Sequence, residues 1–158
     1  MSESIEKRLT DLGIVLPASI APMANYVPSV LSGNLLFVSG QGAADADGRW
    51  LTGRVPDQVD AQAAYKRARA TGIRILSVAK QALGSLDRVQ RVVKLLGFVN
   101  ATPDFQDHPA IINGCSDLLV EVFGERGRHA RSAVGVSGLP VNISVEIEAI
   151  FEVSQRPN

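Results

Sequence analysis

The chain has 158 residues, of which 46% are hydrophobic, 20% charged and 5% aromatic. That length suits one domain, taken to span residues 1–158, and the composition excludes wholesale disorder. Lys plus Arg number 16 and Asp plus Glu number 16, so no general basic footprint for nucleic acid exists. A single cysteine, Cys115, excludes an intrachain disulfide and a cysteine zinc cluster. The polar start MSESIEKRLT lacks the apolar stretch of a signal peptide, and no apolar run is long enough to span a bilayer. A cytoplasmic protein without membrane contact is the expectation.

In chain order, residues 2–12 predict a short amphipathic helix, capped by Ser2 or Ser4 and ended by Gly13. Pro17, Pro22 and Pro28 then favour extended chain, so residues 1–23 form a helix and a proline-rich lead-in. Ser32-Gly33-Asn34 is a turn signal between apolar runs and predicts a hairpin of 27–31 with 35–39. Residues 40–53 are rich in Gly, Ala and Asp and read as a loop with a short hairpin at Asp47-Gly48. Steps of three and four predict a helix over 57–83, with Ala64, Ala68, Gly72, Ile75, Leu76 and Ala79 on one stripe. Its alanines suit close packing on a sheet, and Lys66, Arg67, Arg69, Arg74 and Lys80 fall on the opposite face. A strand over 89–99, a loop from Asn100 to Pro109, a helix over 110–123 and a strand over 131–136 follow. The last strand, 143–153, alternates: Val145, Ile147, Ala149, Phe151 and Val153 face one way, and Glu146, Glu148 and Ile150 the other. After the first helix the order is β-β-α-β-α-β-β. That order predicts an α+β fold, a mixed sheet of about six strands with two main helices packed on one face.

The residues that could carry chemistry are few. His108 and His129 are the only histidines and no metal-ligand spacing occurs, so no metal is expected. Ser39-Gly40-Gln41-Gly42 is too short for a phosphate loop and reads as a strand end entering a turn. Cys115 sits among apolar residues and reads as a small hydrophobe. Arg126, Arg128, His129 and Arg131 form a basic cluster, either a solvated loop or a seat for a carboxylate or phosphate. Arg131 differs from the rest because it opens an apolar strand, where a guanidinium needs a partner or an exposed edge. Glu146 and Glu148 share a strand face that is either open to solvent or, given Ile150 beside them, partly covered. A partly buried carboxyl has a raised pKa, which suits acid–base work.

Three blocks, GNLLFVSGQ (33–41), ARSAVGV (130–136) and LPVNISVEIEAI (139–150), resemble the RidA/YjgF family of imine and enamine deaminases in order and spacing. Tyr26 stands eight residues before Asn34 and Arg131 eight before Leu139, as in that family. The likeness covers residues 24–153, and the N-terminal helix and the long 100–112 segment mark an extended subgroup. It implies a chorismate-mutase-like fold of the small trimeric type, a homotrimer whose sites lie in clefts between subunits. It implies cofactor-independent hydrolysis of reactive 2-imino acids and enamines to 2-keto acids and ammonia. Arg131 would hold the substrate carboxylate and Glu146 would activate water. Tyr26, Ser39, Gly40 and Ala133 would line the site, with Asn113 or Ser116 as its helix residue. Ala133 stands where the family commonly has cysteine, so no thiol role carries over. Two other functions compatible with the likeness are deamination of a larger catabolic enamine of aminomuconate type and non-catalytic binding of small carboxylate metabolites. Family members have also been labelled ribonucleases or translation inhibitors, for which the zero net charge and the lack of aromatic stripes give no support.

Overall fold

The computed structural model describes residues 4–18, 21–22 and 24–155. Helix α1 (Ile5–Asp11) is capped by the Ser4 side chain, which accepts from the Lys7 N–H, and it buries Ile5 and Leu9. Ser2, the other candidate cap, lies outside the described residues. Strands β1 (Ser29–Ser32) and β2 (Leu35–Gln41) form the expected hairpin, with Val30 opposite Phe37. Gly33 at its tip has φ +60°, a conformation that only glycine adopts without a Cβ penalty. The Asp47-Gly48 turn produces one isolated bridge, Ala44 to Trp50, and no strand of the sheet. The sheet therefore has five strands, not about six.

Helix α2 (Ala61–Leu83) starts later than its periodicity predicts, because Asp60 accepts from the Ala63 N–H and caps it there. Strand β3 (Val89–Asn100) is followed by α3 (His108–Phe123). The predicted loop and the long 100–112 segment are thus shorter than expected. Pairing continues through Asn100, and Pro109 sits in the first turn of α3, where a missing N–H costs nothing. Strands β4 (Ala130–Val136) and β5 (Val145–Val153) complete the fold. The strand order is β1-β2-β5-β3-β4, with β3 and β4 parallel and the other pairs antiparallel. The parallel pair needs a crossover, and α3 supplies it.

Period-two alternation decides the two faces. Val145, Ile147, Ala149, Phe151 and Val153 are all buried, and with Leu36, Val38, Leu95 and Val99 they form a core against the two long helices. Those helices touch backbone to backbone. A Cβ on Gly114 would lie 2.0 Å from the Tyr65 carbonyl oxygen. The opposite face is apolar but open, with Val30, Phe37 and Val134 exposed at 52%, 41% and 43%. Phe37, Leu96 and Ile150 line a groove of about 370 Å³ on it. The basic face of α2 is not a plain solvent face. Arg67 donates to the Thr52 carbonyl and Ser144 Oγ, Arg69 pairs with Glu121 at 2.7 Å and Lys80 with Glu6 at 2.8 Å. Among the described residues no helix is long and apolar enough to cross a membrane.

Candidate active site

Two groups of side chains stand out. The first lies where α3 crosses β4. Arg131 pairs with Leu95 on β3, and Leu95 faces the helices, so the arginine also points toward α3. Asn113 and Ser116 are three residues apart on that helix and share a face. Arg131 Nη1 donates to Asn113 Oδ1 at 2.8 Å and to Ser116 Oγ at 3.0 Å. Ser116 Oγ is 2.9 Å from His129 Nε2, and His129 Nδ1 is 2.6 Å from the Gly127 carbonyl oxygen. A carbonyl only accepts, so Nδ1 carries the ring proton and Nε2 accepts from the serine hydroxyl. Burial, aided by the charge of Arg131, holds the His129 pKa below its usual 6.5 and so favours this neutral ring. The chain of donors runs one way, from Arg131 through Ser116 and His129 to Gly127. Among the described residues Nε and Nη2 of Arg131 make no hydrogen bond, which leaves one edge of the guanidinium open.

The second group lies at the end of β2 against β5. Glu146 pairs with Phe98, one residue out of step with the buried Ile147, and so points to the open face. It is half-buried, and burial, then the charge of Glu148, pushes its pKa above 4.5. Its carboxyl packs on Gly40, where a Cβ would lie 2.9 Å from Glu146 Cδ. The regular pairing of β2 with β5 shifts between Val38 and Gln41, which re-aims the backbone at this point. Tyr26 and Gly40 line one small cavity together with Gln41, Trp50 and Arg74. Ser39 donates its hydroxyl to the Val27 carbonyl at 2.7 Å, which ties the lead-in segment to β2.

The residues singled out from the sequence therefore fall into two sets. Arg131, Asn113 and Ser116 come together, so both candidates for the helix residue contact the arginine. Tyr26, Ser39, Gly40 and Glu146 gather at the other place. Ala133 sits two residues beyond Arg131 on the helix side of β4 and packs against the core. Within one chain Arg131 and Glu146 occupy opposite faces of the sheet. The basic cluster also divides: Arg126 donates to the Val89 carbonyl and Arg128 to Glu125, whereas Arg131 alone of the three donates to helix α3. Cys115 is fully buried and its thiol pKa is pushed up to about 12, so it is a packing residue. The roles of His129, Trp50 and Arg74 were not read from the sequence. The signal for the first was its place beside Arg131, and for the others a lone tryptophan in a glycine-rich loop.

A family model described as "YjgF/chorismate mutase-like, putative endoribonuclease" matches residues 6–152, and the chain belongs to this RidA/YjgF family. Protein TCP17 of Trypanosoma cruzi is 45% identical over 154 residues, which are 97% of this chain and 96% of that one. The 2-iminobutanoate/2-iminopropanoate deaminase of Dermatophagoides farinae is 33% identical over 141 residues, 89% of this chain and 94% of its own. A crystal structure of a protein of unknown function from Agrobacterium tumefaciens superposes with a TM-score of 0.87 at 47% identity, covering 95% of this chain and 92% of that one.

Proposed function

We propose that the protein hydrolyses small 2-imino acids and their enamine tautomers to 2-keto acids and ammonia, without a cofactor. The observation that carries this reading is the Arg131 guanidinium, held through Nη1 by Asn113 and Ser116 with Nε and Nη2 unengaged. That open edge matches the planar, bidentate geometry of a substrate carboxylate. Glu146 is the base. As a water oxygen bonds to the imine carbon, Glu146 takes one water proton, the π pair of the C=N bond moves to nitrogen, and Glu146 passes that proton to the nitrogen, which regenerates its carboxylate. The C–N bond of the resulting carbinolamine then breaks. The hydroxyl gives its proton through Glu146 to nitrogen as the carbonyl forms, and nitrogen leaves as ammonia. A carboxyl with a raised pKa suits both proton transfers. Such imines also hydrolyse unaided, so positioning and one charge contact suffice for a useful acceleration.

Arg131 and Glu146 face opposite ways in one chain, so the reading requires a second copy. In it the chain is a homotrimer in which Arg131 of one subunit meets Glu146, Gly40 and Tyr26 of the next. Its support is the open apolar sheet face with Val30, Phe37 and Val134, and a net charge that does not keep copies apart. The name of the 33% identical relative supports the chemistry. We take the setting to be the cytoplasm, where a lone buried thiol stays reduced.

The test is a coupled assay in which a flavin oxidase releases imines from a panel of amino acids and keto-acid formation is followed. Wild type is expected to accelerate it, and Arg131→Ala to lose about 100- to 1000-fold in kcat/KM, the scale of two charge-assisted hydrogen bonds. Equal traces for wild type, variant and buffer would overturn the reading.

A further inference from the structure

Helix α2 carries a second guanidinium that the chemistry above leaves unused. Arg74 lies with Cζ 5.1 Å from the centroid of the Trp50 ring. Arg67, Arg69, Arg88 and Arg126 each donate to a carbonyl, hydroxyl or carboxylate, whereas Arg74 makes no hydrogen bond or ion pair among the described residues. It is partly buried, and burial lowers its pKa with no anion to offset the cost. A guanidinium partly withdrawn from water, with an aromatic face but no hydrogen-bond acceptor, carries a desolvation cost that an anion would offset. Trp50 takes the face of the guanidinium, and the N–H donors radiate from its edge.

Arg74 lines a cavity of about 50 Å³ together with Tyr26, Gly40, Gln41 and Trp50. The remaining lining, Ala21, Pro22, Pro28 and Gly42, offers no charge. Gly40 belongs to two environments at once. It lines this cavity, and the Glu146 carboxyl packs directly on it. Gly40 thus links the cavity that holds Arg74 to the residue proposed as the base.

We infer that Arg74, set over Trp50, is the seat for a second carboxylate on the substrate, so that the enzyme is selective for dicarboxylic 2-imino acids. This inference rests on the deaminase reading and names its substrate class. Arg131 holds the carboxylate next to the imine carbon, and Arg74 takes the distal one. A distal amide of the same shape would leave the Arg74 charge unpaired, and so would an alkyl chain. The cavity has room for one small planar group and a single cation to meet it, which favours a carboxylate over a phosphoryl group.

The experiment compares imines released from L-glutamate and from L-glutamine, which differ at the distal group in charge and little in shape. Wild type should show a kcat/KM about 10- to 100-fold higher on the glutamate-derived imine. In Arg74→Gln that ratio should fall to near one, while Arg74→Lys keeps part of it. Turnover of both imines with a ratio near one in wild type and variant alike would overturn the distal seat and leave the deaminase reading standing. If wild type accelerates no imine, the deaminase reading fails, and titration calorimetry with glutarate, glutaramate and inorganic phosphate decides the seat. Glutarate binding that Arg74→Gln abolishes keeps it. Equal binding to wild type and variant, or tighter binding of phosphate, overturns it.

Discussion

The corner where α3 meets β4 and the end of β2 against β5 solve opposite problems. At the corner a one-way chain of hydrogen bonds holds the arginine by one nitrogen: Arg131 Nη1 donates to Asn113 and Ser116, Ser116 to His129, and His129 to the Gly127 carbonyl. The arginine is aimed before any ligand arrives, and little ordering remains for binding to supply. At the strand end Glu146 is pressed on a bare Gly40, beside a second carboxylate. That carboxyl is uncomfortable as an anion and gains by taking a proton. One place is therefore built to hold charge and the other to move a proton. Each is incomplete alone, which is why the proposed site needs two subunits.

The sharpest way to break this contrast is to separate its halves. Arg131→Ala and Glu146→Gln should each alone fall about 100-fold or more below wild type. Unfolded together in equal amounts and refolded, they should regain about a quarter of wild-type activity, because one site in four then pairs an intact arginine with a neighbour's intact glutamate. No recovery, with both variants still assembling, would show that one chain supplies both groups. A finer cut is Gly40→Ala. Its new Cβ would sit 2.9 Å from Glu146 Cδ, so the carboxyl must move while Arg131 stays in place. A drop of about 100-fold in kcat with little change in KM is expected, the lower end of what a positioned general base contributes. A KM effect alone would mean that Gly40 only shapes the pocket.

Much of the contrast was legible in the sequence, and the missing part is physical. The alternation of β5 fixed which residues are buried, since a period of two with one covered face leaves no other register. The resemblance carried by the spacing of Arg131 before Leu139 and by the block LPVNISVEIEAI pointed to the two charged residues. That they face opposite ways was not legible. It depends on how β3 pairs with β4 on one side and with β5 on the other, a long-range property. Arg131 was set apart from its cluster by the apolar strand it opens, but the partner of Arg126 was not legible, because the Val89 carbonyl that engages it belongs to a distant strand. The start of α2 was misjudged more locally, since the capping side chain of Asp60 outweighs the pattern that precedes it.

His129 offers a smaller and more selective cut, because it acts through Ser116 and touches no substrate in the proposed mechanism. His129→Phe removes the acceptor that orients the serine hydroxyl. KM should rise about 3- to 10-fold, the scale of one neutral hydrogen bond, with kcat nearly unchanged. The pH dependence of stability gives an independent readout. The folded pKa of His129 lies below 6.5, so the folded state resists protonation more than the unfolded chain does. Its contribution is present above pH 6.5 and is lost as the pH falls toward the folded value. Wild type should thus lose more thermal stability than His129→Phe over that fall. Parallel losses would show that the ring is not held neutral by its surroundings.

Glu146 runs the other way, and the effect is the smallest of these. Its folded pKa is raised above 4.5, first by burial and then by Glu148, so the folded state binds the proton more tightly than the unfolded chain. The stability this brings is present below pH 4.5 and is lost as the pH rises through the folded value. Above that value the fold carries an ionised carboxylate at a cost. Glu146→Gln keeps the shape without the charge, so at pH 8 its Tm should exceed that of wild type by about 1–3 °C. Near pH 4 the two should melt together. The gain in stability would come with the loss of deaminase activity, because the same strain that makes the carboxylate costly to the fold makes it a competent base. A variant that melts at or below wild type at pH 8 would show that Glu146 is comfortable as an anion. The proton-moving half of the site would then have to be sought elsewhere.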